Sequence, residues 1–62
     1  MTQTEKALKI IAKQIKELDK NAILLSEVDG NKDIFHARKN LYNLVTRNGY
    51  TLEIGTYKLL KK

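Results

Sequence analysis

Residues 4–28 read TEKALKIIAKQIKELDKNAILLSEV, and the spacing of the apolar side chains in this run decides what kind of fold the chain can adopt. Leu8, Ile11, Ile15, Leu18, Ala22 and Leu25 recur at intervals of 3, 4, 3, 4 and 3 residues. That alternation places them on one face of an α-helix, because 3.6 residues complete a turn. Ala7, Ile10 and Ala12 widen the stripe early, and Leu24 and Val28 widen it late. Thr2 and Thr4 are candidate N-caps. No proline or glycine interrupts the run before Gly30, so the pattern predicts one long helix from about residue 3 to 27. A short strand at Ala22-Ile23-Leu24-Leu25, after Lys20-Asn21, is the alternative for its end.

The same stretch carries Lys6, Lys9, Lys13, Lys16 and Lys20 at intervals of 3, 4, 3 and 4. They form a second stripe, opposite the apolar one. Two readings suit it. One is a solvated outer face, with Glu5 four residues before Lys9 and Glu17 four after Lys13, pairs worth a few tenths of a kcal/mol each. The other is a ridge that follows a phosphate backbone without reading bases.

Asp29-Gly30-Asn31-Lys32-Asp33 is a turn, with Asn31 or Asp33 available to cap the next helix. Its acidic spacing is not that of a calcium loop: Ile34 stands where the sharp bend needs glycine, and Asn40 where a bidentate glutamate is required. Ile34, Ala37, Leu41 and Leu44, flanked by Phe35, Tyr42 and Val45, predict a second amphipathic helix over about 32–47. Arg47-Asn48-Gly49 ends it, with a cation at the negative end of the dipole and a glycine able to adopt left-handed backbone.

The tail admits two solutions. Tyr50-Thr51-Leu52-Glu53-Ile54 alternates like a strand, with a short helix over Thr56–Lys62 after it; otherwise Thr51 caps one helix running to Lys62, at about 1 kcal/mol for Gly55 inside it. The expected fold is therefore mainly α: a single domain over 1–62, built as a small helical hairpin with a short C-terminal element that is either a third helix or a strand plus short helix.

Composition narrows the function. At 62 residues the chain is short for an enclosed pocket, and 31% charged residues with 42% apolar ones suit a small soluble domain. No segment approaches the roughly 18 apolar residues of a membrane span, and the first residues lack the hydrophobic run of a secretory signal, so a cytoplasmic location is expected. Cysteine is absent, and stability must come from packing or oligomerisation. His36 is the one histidine, no carboxylate pair is held in contrasting environments, and no phosphate-binding, dinucleotide or zinc motif occurs. The expectation is a binding protein with no catalytic or metal-ligating residues, no cofactor, no small-molecule substrate and no membrane partner.

Charge suggests what is bound. Residues 1–20 sum to +2, residues 21–35 to −2, and residues 36–62 to +5, which equals the whole net excess. Such a field favours polyanions or an acidic protein surface. If the tail is helical, residues 34–47 and 51–62 make a helix-turn-helix layout, and residues 49–62 resemble the turn and recognition helix of small prokaryotic helix-turn-helix regulators. In those, a Gly-apolar-Ser/Thr turn precedes a helix ending in Tyr-Lys/Arg-Leu-Leu-Lys. The match needs one extra residue between Thr51 and Tyr57, and Val45 stands where a small residue is usual. The resemblance implies DNA binding, with Lys58, Lys61 and Lys62 on phosphates, Arg38, Lys39 and Arg47 flanking them, and Thr51, Glu53, Thr56 or Tyr57 nearest base edges. Only two arginines are present, which points to weak or sequence-tolerant contact.

The second reading is a protein-interaction module, an adaptor or inhibitor, dimeric through the Leu8, Ile11, Ile15, Leu18, Ala22 and Leu25 seam. In either reading a homodimer is expected. Length and charge also fit, by association, the small accessory proteins of phages and plasmids.

Overall fold

A computed structural model describes residues 2–62. Helix α1 spans Gln3–Lys20, a single turn α2 spans Ala22–Leu25, and α3 spans Asn31–Arg47; strands β1 (Tyr50–Leu52) and β2 (Leu59–Lys61) complete the chain. The fold is mainly α, as the periodicity requires, with a β-hairpin at its carboxy-terminal end.

Thr2 caps α1, its Oγ1 accepting the Glu5 backbone N–H at 3.1 Å, and Glu5 places a negative charge in the first turn. The helix is shorter than the predicted 3–27. Asn21 ends it: its backbone N–H and its side-chain Nδ2 both donate to the Glu17 carbonyl, at 3.1 and 2.8 Å. Asparagine side chains compete for backbone partners in this way, and here the competition breaks an apolar pattern that runs on without a glycine. The following turn is helical and not a strand. It is closed by Ser26, whose Oγ donates to the Ile23 carbonyl at 2.6 Å.

Gly30 is the residue preceding α3 and sits at φ 82°. Neither expected cap acts as one: Asn31 Nδ2 donates backward to the Ser26 carbonyl at 2.6 Å, and Asp33 contributes charge to the first turn. The far end follows the prediction. Asn48 Nδ2 donates to the Leu44 carbonyl at 2.8 Å, and Gly49 takes φ 84°.

The tail is neither predicted alternative in full. Its first half is a strand, but its second half is a strand too, pairing antiparallel with register Tyr50↔Lys61, Thr51↔Leu60 and Leu52↔Leu59. The connecting turn needs left-handed backbone at Gly55 (φ 90°) and at Tyr57 (φ 59°), which a continuous helix cannot supply. Glu53 N–H donates to the Lys58 carbonyl at 2.8 Å and Tyr57 N–H to the Glu53 carbonyl at 2.9 Å, fixing that turn. The helix-turn-helix layout is thus absent, and residues 51–62 form no recognition helix.

The hairpin lies across the two long helices, β1 against α3 and β2 against α1. Among the described residues only Leu8, Ala12, Ile15 and Val45 are buried apolar side chains, with Ile11, Leu41, Tyr42, Tyr50, Leu52, Tyr57 and Leu59 packed around the cluster. The long seam is divided by this packing. Leu8 and Ile15 are consumed inside the chain, whereas Ile11, Leu18, Ala22 and Leu25 are half-buried.

Candidate nucleic-acid interface

Folding β2 back along α1 creates a concavity lined by several lysines. Lys9, Lys13 and Lys16 of α1 form one wall, and Thr56, Tyr57 and Lys58 form the other. Ala12 and Leu59 also line this groove of about 350 Å³. Four lysines and no acidic residue therefore line it.

Beside the groove, and sharing Tyr57 with it, is a hub on Asp19. Arg38 of α3 grips its carboxylate with two hydrogen bonds, Nε to Oδ1 and Nη2 to Oδ2, each 2.9 Å. Tyr57 donates its hydroxyl to Oδ2 at 2.6 Å. One carboxylate thereby joins α1, α3 and the hairpin turn. The guanidinium lies 5.8 Å from the centroid of the Tyr42 ring, and the Tyr42 and Thr51 hydroxyls are 3.3 Å apart. The Arg38 hydrogen bonds hold the Asp19 carboxyl below its usual range, outweighing partial burial, and the Tyr57 hydroxyl adds to the effect. The same contact to Asp19, with burial, raises the Tyr57 phenol above its ordinary value.

This hub redistributes the expected contact residues. Arg38 directs Nε and Nη2 to Asp19, and it does not line the groove. Tyr57 braces the groove wall with its hydroxyl, and Thr51 sits beside Tyr42 instead of at an exposed recognition surface. Thr56 is committed in part to the turn, its Oγ1 donating to Glu53 Oε1 at 2.7 Å. Lys39 and Arg47 are exposed on α3 and do not line the groove; Lys61 and Lys62 are exposed at the end of β2. Of the expected cations only Lys58 enters it.

Sequence reasoning left Lys9, Lys13 and Lys16 out of the contact set although their stripe was visible. Their partner across the groove, Lys58, is more than 40 positions away in sequence, and only the hairpin brings it near. All five lysines of the stripe are exposed, as a solvated face requires, but the expected pairs with Glu5 and Glu17 are not formed: Asp19–Arg38 is the one ion pair among the described residues. From Lys6 to Lys20 the five lysines extend over about 21 Å at 1.5 Å per residue, a length that runs past several phosphates of one strand. No group of three or more potential metal ligands occurs among the described residues, and none of their helices is long and apolar enough to cross a membrane.

Fold and site together define a small α-helical protein with a C-terminal hairpin and a lysine-walled groove. Comparison of the chain with protein families, with curated proteins and with solved structures finds no match.

Proposed function

We propose that the chain is a small, non-enzymatic nucleic-acid-binding protein that grips the phosphate backbone of DNA through the α1 lysine stripe and Lys58. The observation that supports this reading is that Lys9, Lys13, Lys16 and Lys58 line one groove whose lining includes no acidic residue. Such a surface gains affinity from counterion release and is strongly dependent on salt. Arg38 is occupied by Asp19 and Arg47 lies off the groove, so bidentate reading of guanine is not part of the proposal; binding is tolerant of sequence and suits an accessory role.

The test is fluorescence anisotropy on random-sequence duplex DNA over a salt series. Replacing Lys9, Lys13, Lys16 and Lys58 by alanine lowers the slope of log K against log salt by about 0.9 for each phosphate that is no longer neutralised. Lys39→Ala with Arg47→Ala leaves most of the affinity. Equal losses for the two sets remove the groove as the interface, and no binding by the unaltered protein at low salt removes the reading.

A protein-interaction role is the second reading. It is supported by Ile23 and Leu24 of α2, which are 86% and 70% exposed beside the acidic residues Glu27 and Asp29. An apolar knob with an acidic rim suits a partner surface that is apolar and edged with cations.

A further inference from the structure

A second cavity, of about 330 Å³, lies between α3 and the turn that joins β1 to β2. Its lining is unlike that of the lysine groove. Arg38 and Tyr42 of α3 contribute planar groups, Leu52 and Ile54 apolar ones, and Glu53 an acid, and no lysine is present. Tyr57 lines both spaces and so stands between them. It does so with left-handed backbone at φ 59°, the one non-glycine residue with positive φ among the described residues. Such strain persists only where the surrounding contacts over-determine it, as the hydroxyl bond to Asp19 does here, and it is concentrated at ligand-binding sites.

We infer that this cavity receives an unpaired base of single-stranded DNA whose phosphates lie along the lysine groove. The inference rests on the phosphate-binding role of that groove and specifies which form of DNA it serves. The chemistry of the cavity selects a base over a phosphate. Arg38 is neutralised by Asp19 at 2.9 Å, and Glu53 repels an anion, so no net positive charge draws a phosphate in. What remains is planar and apolar. The guanidinium lies 5.8 Å from the centroid of the Tyr42 ring, and the Arg38 side chain is 37% exposed, which leaves a flat surface on which a base stacks. Glu53 accepts the Thr56 hydroxyl on Oε1 at 2.7 Å, and among the described residues no hydrogen bond reaches its Oε2, an acceptor for the N–H of a base edge.

The two cavities together select the single strand. A duplex keeps its bases paired and their faces covered, so only its phosphates reach this side of the protein. An unpaired nucleotide presents a charged backbone and an open base face at once, which matches a lysine groove and a stacking cavity that share one tyrosine. An acidic peptide would meet the lysines equally well, but it gains nothing from the planar groups, and Glu53 opposes its carboxylates.

Fluorescence anisotropy at one low salt concentration tests this with three probes: a strand of about 12 thymidines, an abasic strand of the same length, and a random-sequence duplex. The thymidine strand binds at least about fivefold more tightly than the abasic one, the lower end of what a single stacked base contributes. Tyr42→Leu, in a variant with the circular dichroism of the parent, removes most of that difference and leaves duplex and abasic binding unchanged. Equal affinity for the two strands overturns the inference, and this comparison needs no variant; duplex binding would then still support the phosphate-binding role. A Tyr42→Leu loss of equal size on all three probes also overturns it. Failure of every probe to bind removes the phosphate-binding role and this inference together.

Discussion

The two sides of α1 share one backbone and diverge in everything else. Toward the hairpin, Lys9, Lys16 and Asp19 are charged and architecturally committed, two in a groove wall and one in a three-way hub. Away from it, Ala7, Gln14 and Leu18 carry no charge and make none of the side-chain hydrogen bonds that organise the other side. The difference teaches that an apolar stripe with intervals of 3 and 4 is not one surface. The hairpin covers only the part of it centred on Leu8, Ala12 and Ile15.

The largest effect in a test of that division comes from its centre. Ile15 is fully enclosed, so Ile15→Ala loses transfer energy and opens a cavity, costing about 2–5 kcal/mol. Thermal unfolding followed by circular dichroism should show a midpoint drop of more than about 10 °C for a domain this small. A loss within a few degrees breaks the comparison, since the hairpin side would then not be the packed one.

Next is the hub. Asp19→Ala removes three hydrogen bonds and leaves the Arg38 charge without its partner, a loss of about 1–2 kcal/mol after allowing for solvent at a half-exposed site. The same contact has a pH signature. Because the folded carboxyl titrates below its ordinary value of 3.8, its contribution is complete above that value and disappears as pH falls through the lower, folded one. Acid titration of the parent and of Asp19→Ala by circular dichroism should therefore give stability curves that separate above pH 3.8 and converge in stronger acid. Curves that stay parallel throughout would detach Asp19 from the stability of the fold.

The smallest effect sharpens the picture instead of breaking it. Tyr57→Phe deletes one bond to Asp19, so it should lower the unfolding midpoint by less than Asp19→Ala does. It should have little further effect once Asp19 is alanine, because the two residues act through one contact. Full additivity in that double-mutant cycle would mean that Tyr57 supports the groove by packing alone.

The parts of this architecture written in repeating intervals were legible from the residues. Both long helices, the Asn48-Gly49 stop and the lysine stripe follow from spacing and from the backbone freedom of glycine. The break at Asn21 was not legible, since it depends on one amide finding the Glu17 carbonyl while the apolar pattern continues past it. The tail was legible only by half. Alternation marked Tyr50–Leu52, but the second strand needs a left-handed tyrosine at position 57, a conformation side chains of that size rarely take. The candidate site shared that fate: each lysine was visible, and their meeting depended on the one turn the residues did not announce.

That turn has a bearing on how the chain behaves in a crowd of its own copies. A sheet of two strands has no interior strand, so the outer edges of β1 and β2 both present backbone to which another strand could add. Leu59 and Leu60 are the residues most suited to stacking into a growing fibril, and they are bracketed by Lys58, Lys61 and Lys62. Any in-register addition along β2 would set like charges against each other at every layer. Lys58, Lys61 and Lys62 thus oppose edge-to-edge aggregation.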